Sequence, residues 1–215
     1  MTTVNRMPAA LLSVNVGRPR VVPRGNGTAR TAIWKAPVEG RVAASGVNLE
    51  GDDQADRSVH GGLDKAVYAY AREDARWWEA ELGRAIDPGG FGENLTTAGL
   101  DLTNAVIGER WVIGTTLLKV CQPRFPCFKL GLRFDDPLMV KRFARAGRPG
   151  AYLRIVTEGE LGAGDGIEVV HRPDHGVTIA LVNAAVLHDR ALLARILDAP
   201  ELAESLREWA AEEAA

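Results

Sequence analysis

Three stretches of the sequence gather residue types that can do chemistry. In residues 122–130, QPRFPCFKL, Cys127 follows Arg124 by three positions and precedes Lys129 by two. Cationic neighbours lower a thiol's pKa, and the thiolate is the form that attacks an electrophile or binds a soft metal. Pro123 and Pro126 fix the backbone on either side of Arg124, so these side chains are aimed in advance. A buried, inert thiol is the competing reading of Cys127. In residues 51–70, GDDQADRSVHGGLDKAVYAY, His60 can donate, accept or ligate, and Lys65 can meet an anion. Gly61 and Gly62 allow close backbone approach to a ligand, although a solvated turn ahead of a strand has the same composition. In residues 91–95, FGENL, Glu93 and Asn94 set a carboxylate beside an amide, a pairing that plain turns also use.

Charge patterning favours the first stretch. Between Arg110 and Arg154, ten Lys and Arg stand against Asp135 and Asp136, an excess of +8 in a chain of formal net charge -2. A basic segment around a candidate thiolate points to a small anionic ligand held by charge-assisted hydrogen bonds. Residues 141–148 also fit the solvated face of a helix. The near-neutral total argues against a general nucleic-acid binder. Cys121 lies in an apolar run and reads as core. Two cysteines make no disulfide scaffold, which suits a reduced, cytoplasmic setting. His171 and His175 have a metal-pair spacing, but Arg172 and Pro173 intervene and no cysteine pair is near, so zinc is not expected there. No Walker loop, dinucleotide glycine fingerprint or Gly-x-Ser-x-Gly elbow is present.

These residues must be positioned by short elements. The chain has 215 residues, 46% of them hydrophobic and 25% charged, which are globular values at a length of one domain or one domain with an appendage. Twenty-three Gly and 11 Pro punctuate brief β-prone runs at 11–16, 66–71, 111–113, 117–121, 152–156 and 167–170. Many short strands with few long crossovers favour a barrel or sandwich. Gly114 to Thr116 suits a hairpin turn. A helix is expected over 71–82, stopping at Gly83, and another after Asp136 as N-cap with Pro137 at its first position, ending at Gly147. Glycine disappears after Gly176, and 180–187, 190–197 and 201–211 read as amphipathic helices. The expected division is 1–175 for the β domain and 176–215 for a three-helix appendage. No apolar run approaches the length that spans a bilayer.

Taken together, these stretches resemble the MOSC domain family, the C-terminal sulfurase-type domain associated with molybdenum cofactor, and within it the YiiM-like branch. The resemblance is carried by KAPVEG at 35–40, GDDQADRSVHGGLDKAVYAY, FGENLTTAGL, and IGERWVIG followed by LLKVCQPRFPCFKL. It covers residues 10–172, and the tail is similar to the helical domain that follows in that branch. The resemblance implies a mainly β fold: a closed, mostly antiparallel barrel with peripheral helices, plus the small C-terminal three-helix domain. It implies that Cys127 binds the molybdenum of a pterin cofactor, with Arg124, Lys129, His60, Lys65 and Asn94 around it. It also implies reduction of N-hydroxylated compounds, hydroxylamino-purines among them, with electrons from a flavoprotein reductase. His60 or Glu93 would deliver protons. Pyridoxal phosphate and a membrane partner are not expected, and monomer and homodimer both stay open. Cys121 departs from the branch, which more often has serine. Two alternatives stand beside this reading: a non-catalytic cofactor carrier or sulfur-transfer module using the same cysteine, and a cysteine hydrolase with His60 as base.

Overall fold

The computed structural model describes residues 8–55 and 61–214. Strands β1 (Ala10–Val16), β2 (Arg20–Arg24), β3 (Gly27–Thr31), β4 (Ala36–Pro37), β5 (Arg41–Ser45) and β6 (Asn48–Leu49) come first. Strand β7 (Val67–Ala71) runs straight into helix α1 (Arg72–Leu82). Strands β8 (Leu95–Ala98), β9 (Arg110–Ile113) and β10 (Thr116–Pro123) precede helices α2 (Phe128–Phe134) and α3 (Met139–Ala146). Strands β11 (Ala151–Thr157), β12 (Gly159–Gly162) and β13 (Ile167–His171) lead to the tail, with α4 (Ile179–Leu187), α5 (Leu193–Ile196) and α6 (Glu204–Ala214).

An eight-stranded sheet in the order β13-β9-β10-β11-β7-β8-β1-β4 forms the frame. Its pattern is short and half-buried, as in β10, where Leu118 and Val120 turn inward while Leu117 and Lys119 are only half-covered. The β9–β10 hairpin closes at Gly114, whose φ of +59° suits glycine and whose Cβ, if present, would meet Glu160 O at 2.3 Å. Two features depart from the expected closed antiparallel barrel. The β7–β8 pair is parallel, because α1 and the loop after it make a crossover. The sheet also curls until β1 approaches β13, where the isolated bridge Ala10↔Gly166 is flanked by bonds from Leu11 N–H to Asp165 O, Gly164 N–H to Leu11 O and Ile167 N–H to Ala9 O. The seam is therefore a short bridged contact, and β1 and β13 form no regular ladder there.

Helix α1 ends as expected at Gly83, in the left-handed region at φ 65°. Asp136 accepts a hydrogen bond from Leu138 N–H at 2.8 Å, but α3 begins only at Met139, with Leu138 rather than Asp136 at its N-cap. The tail differs from three clear helices. Residues 190–192 form a tight 3-10 turn held by Asp189, α5 has four residues, and α6 starts only at Glu204, beyond Pro200. Its apolar side, including Ile179, Val182, Leu193, Ile196 and Leu206, joins one cluster with Trp111, Leu118 and Val120 of the sheet. A second, aromatic cluster of Tyr68, Tyr70, Trp78, Phe91, Phe134 and Phe143 fills the space between the sheet and α1–α3. Within it Tyr70 stacks on Phe91 at 4.3 Å. Among the described residues, no helix is long and apolar enough to cross a membrane.

Candidate active site

The aromatic cluster ends at a cleft that brings together Lys65, Asn94, Arg124, Cys127 and Lys129. Strand β10 delivers Arg124. Its Nη1 donates to Phe91 O at 2.8 Å, and its guanidinium carbon lies 5.2 Å from the Tyr68 ring and 5.5 Å from that of Phe143. Burial works against this charge, but Tyr68, Tyr152 and Cys127 more than offset it and leave the guanidinium above its ordinary range. Arg124 is thus a fixed, permanent cation. Tyr68 and Tyr152 are held neutral by burial, which raises both phenols, and their ring centroids are 5.1 Å apart. Tyr68 OH donates to Pro149 O at 2.8 Å.

Cys127 is half-buried and stands at the N-cap of α2. Its carbonyl accepts Leu130 N–H at 2.9 Å, while its side chain makes no capping bond, so the thiol is left to the cleft. The helix that begins at Phe128, which the sequence does not announce, carries Lys129 in its first turn and takes Cys127 as its N-cap. Burial lowers the Lys65 ammonium, with Asp64 opposing.

Asn94 acts as a brace. Its Oδ1 accepts Tyr68 N–H at 3.1 Å, and its Nδ2 donates to Asp52 Oδ2 at 2.8 Å and to Asn15 O at 3.2 Å. Asp52 in turn accepts Gly17 N–H at 2.8 Å and forms an ion pair with Lys35. The two side chains of that pair are 8% and 2% exposed. Burial lowers the Lys35 ammonium, and Asp52 is the main opposing influence. Lys35 and Asp52 were not singled out in the sequence, although both lie in the stretches that carry the resemblance. Four cations, Lys35, Lys65, Arg124 and Lys129, against Asp52 and Asp53 leave the cleft lining at +2. Replacing Asp52 with alanine should strand Lys35 and cost about 3–5 kcal/mol, read from the denaturant midpoint, because an unpaired buried charge is worse than none. The double replacement Lys35→Met with Asp52→Leu should recover only the part due to the stranded ammonium, because Asn94 Nδ2 and Gly17 N–H still lose their acceptor.

Glu93 does not face the cleft. Its Oε1 accepts Gly89 N–H at 2.7 Å and Thr96 OH at 3.0 Å, and its Oε2 accepts Phe91 N–H at 2.9 Å. It ties the 89–93 turn that presents Phe91 O to Arg124, so its geometry is that of a positioning residue. His60 lies outside the described residues. Cys121 is fully buried and does not line the cleft; its thiol points to Lys119 O at 3.4 Å and burial pushes it up to about 12. His175 Nδ1 accepts Val177 N–H at 3.0 Å, and among the described residues no His, Cys, Asp and Glu group could hold a metal by itself.

A half-buried thiol beside fixed and rim cations can hold a soft metal and an anion together. Known proteins share this frame. The MOSC domain matches residues 56–168. The chain is 37% identical over 201 residues to the uncharacterized protein YflK of Bacillus subtilis, covering 92% of this chain and 91% of YflK. It is 38% identical over 170 residues to a protein of Gibberella moniliformis named Reductase, covering 77% of this chain and 30% of that one. The crystal structure of YiiM from Geobacillus stearothermophilus matches with a TM-score of 0.81 at 32% identity, covering 97% of this chain and all of that one. The chain belongs to the MOSC domain family.

Proposed function

We propose that the protein is a molybdenum-cofactor-dependent reductase of N-hydroxylated compounds such as hydroxylamino-purines. The observation that carries this reading is Cys127 opening into the same cleft as Arg124, Lys129 and Lys65. The residues fit such a group. A thiolate suits a soft metal, and the cations lining the cleft suit a phosphate-bearing pterin. The fungal relative's name supports a reductive role. When bound, such a cofactor supplies a metal that accepts an oxygen atom and relays electrons.

The chain's own residues do the rest. Cys127 is the protein ligand. Arg124, locked by Phe91 O and the rings of Tyr68 and Phe143, holds negative charge at the back of the cleft, while Lys65 and Lys129 hold it from the lining. The Asn94–Asp52–Lys35 chain keeps that wall in place. The balanced reaction is R–NHOH with two electrons and two protons giving R–NH2 and water. We assign proton delivery to His60 and the electrons to a separate flavoprotein reductase. Holo protein given dithionite-reduced methyl viologen and 6-hydroxylaminopurine should form the amine, followed by chromatography. Metal-loaded protein that forms none, but passes its cofactor to an apo-enzyme, would instead establish the carrier role.

A further inference from the structure

We propose that the β2–β3 hairpin and the groove beside it dock an acidic flavoprotein electron donor, a proposal that rests on the reductase reading above. The hairpin is a two-stranded sheet of its own, closed by the turn at Gly25 and Asn26 and paired to no other strand among the described residues. It carries Arg18, Arg20, Arg24 and Arg30 on or beside it, all exposed. The first acidic residue of the chain is Glu39. Among the described residues, none of these four arginines forms an ion pair; Arg30 donates to Ala55 O at 2.8 Å. In a chain of net charge -2, the hairpin thus gathers four arginines with no ion-paired carboxylate among the described residues.

Two of these charges are held in place by stacking. The Arg20 guanidinium lies 4.0 Å from the Trp34 ring, and that of Arg24 lies 3.7 Å from the Phe128 ring. Behind them runs a groove lined by Val22, Pro23, Trp34, Phe128, Leu132 and Val140, with Asp135 and Asp136 also on its lining. Arg, Trp and Phe over an apolar groove is the composition of protein interface centres. A nucleic acid would want free ring faces and a longer cationic track, whereas here the arginines already cover Trp34 and Phe128.

Position supplies the functional argument. Thr31, the last residue of the hairpin, lines the Cys127 cleft, and Phe128 adjoins Cys127 in sequence. A donor seated on Arg20 and Arg24 thus comes to rest beside the cleft, and electron transfer weakens steeply with distance. Electrostatic steering raises encounter rates without demanding a tight complex, as a donor that must deliver twice and leave requires.

The test uses full-length holo protein and a bacterial flavodoxin, an acidic one-electron FMN protein, as the probe. Calorimetry should show binding to wild type that weakens as salt rises from roughly 20 to 300 mM. In the variant R20E/R24E/R30E the dissociation constant and the KM for flavodoxin should rise at least about tenfold. The viologen-driven rate and the circular dichroism should stay at wild-type values. The neutral variant R20Q/R24Q/R30Q, which removes charge without reversing it, should fall between the two. Equal flavodoxin affinity in all three proteins, salt-independent binding, no binding to wild type, or tighter binding of an oligonucleotide than of flavodoxin would each overturn the proposal. If viologen drives no turnover in wild type, the reductase reading fails first and this proposal falls with it, which distinguishes the two failures.

Discussion

Replacing Cys127 with serine is expected to lower viologen-driven reduction of a hydroxylamino-purine by at least about a hundredfold, beyond what loss of an outer-shell partner costs a metal site. Serine occupies nearly the same volume and can sit at a helix N-cap at least as well as cysteine. The Cys127 side chain makes no capping bond, and its carbonyl bond to Leu130 N–H belongs to the backbone. Folding should therefore be untouched, with the thermal midpoint within roughly 2 °C of wild type. What changes is the soft ligand alone. If turnover persists with the hydroxyl in place, the thiol is a bystander.

Glu93→Gln is expected to produce the second large effect, on stability. Both carboxylate oxygens face donors: Gly89 N–H and Thr96 OH at one, Phe91 N–H at the other. A glutamine must turn its NH2 toward one of those sets, donor against donor, with burial denying water access. The expected loss is about 1–3 kcal/mol, with a larger loss for Glu93→Ala, where all three donors are orphaned. Arg124 loses its anchor in the same event, because the turn that presents Phe91 O relaxes. Titration supplies an independent check. Burial raises the Glu93 carboxyl above its ordinary value of 4.5 despite three donors, so the folded state holds this proton more tightly than the unfolded one. The resulting contribution is full below about pH 4.5 and is lost as pH climbs through the folded value. Wild type should lose stability relative to Glu93→Gln across that window. A difference between the two that does not change with pH would show that Glu93 is not buried as described.

The parts of the site that were legible in the sequence are those whose chemistry is local. Arg124, Cys127 and Lys129 stand within six residues between and after two prolines, so their common direction follows from chain stiffness. Lys65 and Asn94 reach the same cleft only through β7–β8 pairing, and the resemblance indicated them where spacing could not. Lys35 and Asp52 stayed hidden because an ion pair across two loops leaves no periodic trace. Glu93 shows the converse. A carboxylate beside an amide looks like acid–base chemistry until burial reveals that its oxygens serve three donors of its own turn and strand.

The fold divides in the same way. Alternation and glycine punctuation mark strands and turns, yet neither reports whether a neighbouring strand is parallel or whether the sheet's ends complete a ladder. The meeting of β1 and β13 at Ala10 and Gly166 joins residues more than 150 positions apart. The apolar stripe over 190–197 is buried as expected, but Asp189 and Pro200 cut its helix short. Helix α2 escaped notice because Gly131 interrupts FKLGLRF; that glycine lies against Asp136 O, where a Cβ would be 3.1 Å away.

The central claim is that Cys127 ties a molybdenum pterin to this cleft, and metal content tests it most directly. Wild type and Cys127→Ser should be expressed together in a host that makes the cofactor, purified without chelators, and assayed for molybdenum by mass spectrometry and for pterin by fluorescence after oxidation. The account predicts about one molybdenum and one pterin per wild-type chain and at least a tenfold loss of molybdenum in the variant, no less than loss of an outer-shell partner costs a metal site. Equal molybdenum in the two proteins, or none in a wild-type preparation that still reduces hydroxylamino-purine, would contradict it.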